Sequence, residues 1–126
     1  MKAIERRSGK SGFTLIEIIA VLVILAVLAA VAIPRYIDLM ANARQSALQG
    51  AIATGQSQCS LAYGSLILSS AGTVPTESQI AAAATAALAT ATDFTYAIAG
   101  VDGAGTISIT ATDASGATLA GSWTLP

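Results

Sequence analysis

Histidine is missing from this chain, and cysteine occurs only once, at Cys59. The first absence removes imidazole acid–base chemistry and the commonest metal-ligating side chain. The second excludes an internal disulfide. Cys59 falls on an apolar helical stripe, where a small core residue is expected. Charge is also scarce, at 10% of 126 residues, and it is unevenly placed. Residues 1–12 hold Lys2, Arg6, Arg7 and Lys10 against Glu5, a net charge of +3. After them come only Arg35 and Arg44, against Glu17, Asp38, Glu77, Asp93, Asp102 and Asp113, a net charge of −4. With no basic patch beyond residue 12, a phosphate-neutralising surface is not expected, and nucleic acid is not an expected partner.

Motifs for chemistry are missing as well. There is no P-loop, no GxSxG and no carboxylate pair beside a base. Gly103-Ala104-Gly105 lacks the following helix that a dinucleotide fingerprint requires. Asp93, Asp102 and Asp113 suggest oxygen ligands for calcium, but their spacing fits no calcium loop, and turn sequences account for two of them. Asn42-Ala43-Arg44 is not a glycosylation sequon. The six aromatics, Phe13, Tyr36, Tyr63, Phe94, Tyr96 and Trp123, are too dispersed for a stacked array. No catalytic residue, metal ligand or cofactor is expected, and the chain does not read as an enzyme.

What the chain does have is one long apolar block. From Phe13 to Ile33 the only polar residues are Thr14 and Glu17, and there is no glycine. As a helix these residues span about 30 Å, the thickness of a bilayer's hydrocarbon core. The cations precede the block, which predicts a single pass with a cytoplasmic N-terminus. An ordinary secretory signal is shorter and is cleaved after its apolar region. Here the plausible processing site, Gly12-Phe13, comes before it. Glu17 is the anomaly, because an acidic side chain at mid-bilayer costs about 2.5–3.5 kcal/mol and calls for a partner.

Gly12-Phe13-Thr14-Leu15-Ile16-Glu17, between a basic leader and an apolar run, resembles the N-terminus of type IV pilins and of the type II secretion pseudopilins. The close resemblance covers about residues 8–40. It implies that residues 1–12 are a cytoplasmic leader and that a prepilin peptidase cuts between Gly12 and Phe13. It also implies that Phe13 becomes an N-methylated first residue and that residues 13–33 are retained as the transmembrane and assembly helix. The family's glutamate is thought to meet the terminal amine of a neighbouring subunit, which would make Phe13 and Glu17 the residues of assembly and register. The family also places a helix kink at the position of Pro34. Proline removes one helical hydrogen bond and crowds the preceding turn.

Residues 34–126 read as an amphipathic continuation of the helix plus a small exported domain. Ile37, Met40, Ala41, Leu48, Ile52, Cys59, Tyr63 and Leu66 recur at helical spacing, giving one apolar face. The helix is expected over about residues 13–63, with Gly64 as its C-terminal cap and an irregular connection over 64–75. Gly50 and Gly55 each weaken it by about 1 kcal/mol relative to alanine, in exchange for possible close approach of a neighbouring chain. Thr76-Glu77-Ser78-Gln79 reads as a capping box opening an alanine-rich helix to about Ala91. Strand-like runs follow at Phe94–Ala99, Thr106–Thr112 and Ala117–Leu125, separated by turn sequences. Alternation in Thr106-Ile107-Ser108-Ile109-Thr110 predicts one buried face. The expected fold class is α+β and pilin-like, a long N-terminal helix packed on a three-stranded antiparallel sheet.

The resulting expectation is a non-catalytic structural subunit of a type IV pilus or pilus-like filament. It would lie in the cytoplasmic (inner) membrane before assembly and in an extracellular pilus or a periplasmic pseudopilus after it. Its partners would be copies of itself in a helical homopolymer, the prepilin peptidase, membrane lipid, and inner-membrane pilus or secretion machinery. A pseudopilin of a type II secretion system, or a minor pilin, shares the same N-terminus. A membrane-tethered binding module remains the reading from another class. It would use the helix as a plain anchor and would tolerate loss of Glu17.

Overall fold

The computed structural model describes residues 12–126, so the leader residues Lys2, Glu5, Arg6, Arg7 and Lys10 lie outside the described residues. The described residues form two compact units, one up to Met40 and one comprising Ala41–Pro126. Helix α1, Leu15–Ser69, contributes to both.

In the first unit every described residue is exposed. Among the described residues, the apolar side chains around this part of α1 are left uncovered, among them Ile16, Leu22, Val27, Leu28 and Ile33. A helix that is apolar all round is stable only in lipid or against other apolar helices. It has the length and composition to cross a membrane. Pro34 lies inside α1, which continues past it.

The second unit has a packed core. After α1 come α2 (Glu77–Leu88), β1 (Phe94–Gly100), β2 (Thr106–Asp113) and β3 (Thr118–Thr124). The strands form an antiparallel meander in the order β1-β2-β3. Ile98 pairs with Ile109, and Ile109 with Gly121. The central strand supplies Ile107, Ile109 and Ala111, all fully buried. Burying an isoleucine side chain contributes about 1.5–3 kcal/mol, so β2 carries much of the sheet's cohesion. Leu48, Ala51, Ile52, Cys59 and Ala62 of α1 join the same cluster, as do Ile80, Ala81 and Ala84 of α2. Two polar ties fix α1 on β3. The Gln56 side-chain amide donates to the Ser122 carbonyl at 2.9 Å, and the Trp123 indole N–H donates to the Ser60 hydroxyl at 2.9 Å. Trp123 also packs on Tyr63, with ring centroids 6.0 Å apart. Cys59 is fully buried, and burial pushes its thiol above the ordinary range, so it stays neutral and unreactive.

The long helix, the meander and its turns follow the sequence expectation, with three corrections. The helix does not stop at Gly64 but runs to Ser69, because Tyr63 and Leu66 still pack on the core. Their burial outweighs the cost of one helical glycine, about 1 kcal/mol. The apolar stripe engages the domain only from Leu48, since Ile37, Met40 and Ala41 are exposed. The second helix ends at Leu88 rather than Ala91.

The true stop of α1 is a left-handed cap. Ala71 has φ 55°, and the Gly72 N–H bonds back to the Ile67 carbonyl at 3.0 Å. This bond closes the helix end as in a Schellman motif, where glycine normally occupies the left-handed position. Alanine there carries steric strain. Replacing Ala71 with glycine is expected to stabilise the domain by about 0.5–1 kcal/mol, seen as a raised unfolding midpoint. A lowered midpoint would show that the cap is unstrained.

Candidate functional site

The sequence singles out Gly12, Phe13, Glu17 and Pro34. Gly12 and Phe13 precede α1 in non-helical backbone, and Phe13 is 85% exposed. Phe13 and Glu17 are brought together, lining one open groove with Ile18, Ala20 and Val21. Pro34 is not part of this arrangement. It lies 17 residues beyond Glu17, about 25 Å along a helix axis.

The residue that organises the groove is one the sequence reading passed over. Thr14 immediately precedes α1, and Glu17 lies in its first turn. The Thr14 backbone N–H donates to Glu17 Oε2 at 2.7 Å, and the Thr14 hydroxyl donates to the same oxygen at 2.9 Å. In return the Glu17 N–H reaches Thr14 Oγ1 at 3.4 Å and the Thr14 carbonyl at 3.1 Å. This is a capping box, with the threonine as N-cap and the acid three residues on. The spacing Thr14-x-x-Glu17 carries that signal in the sequence. The same pattern at Thr76–Gln79 was expected and is formed, with the Thr76 N–H on Gln79 Oε1 at 3.1 Å.

The box gives Glu17 a role at its own helix terminus. The first-turn N–H groups of any helix lack partners within the helix, and the carboxylate answers part of that need while facing the helix's positive end. Only Oε2 takes part in these bonds. The other carboxylate oxygen, Oε1, makes neither of these bonds.

Two of the three acidic residues that suggested calcium ligands accept backbone donors instead. Asp113 Oδ1 accepts the Ser115 N–H and hydroxyl and the Ala117 N–H in the β2–β3 turn. Asp102 Oδ1 accepts the Ser78 N–H at the start of α2. Among the described residues, Asp93, Asp102 and Asp113 do not converge in a group fit to hold a metal ion.

Comparison with known proteins adds one match. Residues 7–33 fit the family model described as the prokaryotic N-terminal methylation motif. No curated protein and no solved structure matches the chain. The matched segment is the prepilin-type leader and helix start of type IV pilins and pseudopilins. Together with an apolar N-terminal helix and a small antiparallel sheet, it supports a pilin-like or pseudopilin-like protein and membrane anchoring through that helix.

Proposed function

We propose that the chain is a structural subunit of a type IV pilus or pilus-like filament, matured between Gly12 and Phe13 and assembled through residues 13–33. The observation that carries this reading is the methylation motif over residues 7–33, joined to a helix whose apolar surface is exposed all round. Such a helix needs lipid before assembly and other copies of itself afterwards. Without water between the helices, cohesion rests on close van der Waals contact, which the small alanines at 26, 29, 30 and 32 favour.

In this mechanism maturation creates an amine at Phe13, next to the groove that holds Glu17. The amine of one subunit meets the carboxylate of its neighbour. In a low dielectric the two attract strongly, and each relieves the other's desolvation only when paired. The pairing sets the axial register between subunits, and Glu17 Oε1, which makes none of the Thr14 bonds, remains to accept it. The leader and its cations stay in the cytoplasm, the domain formed by Ala41–Pro126 crosses, and the filament displays it. The motif points to a structural role rather than an enzymatic one.

Intact mass spectrometry of protein sheared from the cell surface tests the proposal. The expected species starts at Phe13 and carries one added methyl group. Recovery of that species from membranes alone would favour a pseudopilus. A chain retaining residues 1–12 in the assembled fraction would overturn the maturation step.

A further inference from the structure

A second carboxylate is used in an unusual way, far from the N-terminus. Glu77, in the first turn of α2, is only 6% exposed. Its carboxylate reaches across to the β1–β2 connection, where Oε1 accepts the Gly105 N–H at 2.7 Å and Oε2 accepts the Gly103 N–H at 3.2 Å. Asp102, in the same connection, reaches the opposite way and accepts the Ser78 N–H at 2.9 Å. Each element thus lends an acid to the other's backbone donors. The bonds join residues 24 to 28 positions apart in the chain.

Among the described residues, no cation balances these acids. Asp102 is the ionisable group that faces Glu77, and the chain contains no lysine or arginine after Arg44. The negative charge is met by backbone N–H groups and hydroxyls. Such a carboxylate must stay ionised to do its work. When protonated, Glu77 presents an O–H toward N–H donors, and at least one of its two bonds fails.

We propose that Glu77 and Asp102 form an acid-releasable latch that holds the β1–β2 tip onto the start of α2 at neutral pH and frees it in acid. The sign follows from linkage. Hydrogen bonds from the Glu77 backbone N–H, then from Gly105 and Gly103, hold the Glu77 carboxyl below its ordinary value of 4.5. The Ser78 N–H, then the Ser78 and Thr76 hydroxyls, hold Asp102 below its ordinary 3.8. Groups lowered in this way stabilise the closed form above their ordinary values, and that contribution fades as the pH falls through the lowered ones. The remainder of the core, centred on Ile107 and Ile109, contains no carboxylate, so the tip opens before the sheet does.

The test is hydrogen exchange on the full-length protein in detergent micelles. Protection of the Gly103, Gly105 and Ser78 amides should fall by about tenfold or more between about pH 6 and about pH 3, after correction for intrinsic rates. Protection of Ile109 should hold. Glu77→Gln keeps one acceptor oxygen, so it should remove protection of at least one of the Gly103 and Gly105 amides already at neutral pH and flatten the pH dependence of both. Unchanged protection at these amides in wild-type protein at acid pH would overturn the latch without recourse to any variant. So would loss of Ile109 protection in step with theirs, because that would be unfolding of the whole domain.

Discussion

Replacing Glu17 with leucine is expected to leave the protein in the membrane and to abolish filament assembly. The two effects have opposite thermodynamic signs, which makes the result informative. On insertion scales an acid at the helix centre costs about 2.5–3.5 kcal/mol, an upper bound for Glu17 in the first turn of α1, whereas leucine contributes about −0.5 kcal/mol. The leucine variant should therefore insert at least as well as the parent. It loses the bonds that Glu17 makes with Thr14, a capping effect of about 1 kcal/mol, but the apolar run through Ile33 is untouched. An anchor helix would not notice the change, and a helix whose acid pairs with the neighbour's amine would fail. Glu17→Gln separates the two duties of the side chain. Its amide oxygen can still accept from Thr14, so the cap survives while the charge is gone. We expect this variant to fail as well, with sheared-fraction yield as the readout. Normal filaments from Glu17→Gln would show that a hydrogen bond suffices. Normal filaments from Glu17→Leu would refute the register mechanism altogether.

How far the fold was legible follows from how local each determinant is. The strands announced themselves because Thr106-Ile107-Ser108-Ile109-Thr110 alternates with the pleat, and the structure buries Ile107 and Ile109 while exposing Thr106 and Ser108. The turns were legible because Asp113 and Gly116 are adjacent in sequence to the groups they serve. The end of α1 was misread for the converse reason. Gly64 is a local signal worth about 1 kcal/mol, and it lost to the packing of Tyr63 and Leu66 on residues distant in the chain. Ala71 carried no signal, since alanine is an unfavourable choice for a left-handed cap. The Thr14–Glu17 box was written in the spacing but overshadowed by the larger anomaly of an acid in an apolar run. The Glu77 latch was not legible at all. Nothing in the sequence near residue 77 announces that Gly103 and Gly105 will lie across from it.

Gly55 and Gly100 illustrate the same limit, and the second supports a prediction of large effect. Gly55 was expected to weaken α1 in exchange for close approach of a neighbouring chain. Its partner is in fact internal, because a Cβ there would stand 2.7 Å from Ile109 Cγ2. That contact is with the end of a side chain, which has room to turn. Gly100 is more demanding, as a Cβ there would lie 2.5 Å from the Glu77 carbonyl oxygen and 2.6 Å from its carbon. Backbone cannot rotate aside as a side chain does, so Gly100→Ala must push β1 away from the start of α2. Overpacking of this kind costs about 3 kcal/mol when the obstacle is rigid. In a domain of this size that lowers the unfolding midpoint by on the order of 15 °C. Fluorescence of Trp123, packed on Tyr63 and bonded to Ser60, reports the domain's melting without interference from the membrane helix. Gly50→Ala provides the control, because beyond the adjoining residues and backbone of its own helix nothing lies within 4 Å of its Cβ position, and it should raise stability by about 1 kcal/mol. The two substitutions add the same methyl group, so opposite shifts isolate the contact between β1 and Glu77 as the cause. A Gly100→Ala midpoint within a few degrees of the parent would mean that β1 and α2 approach less closely than this packing requires.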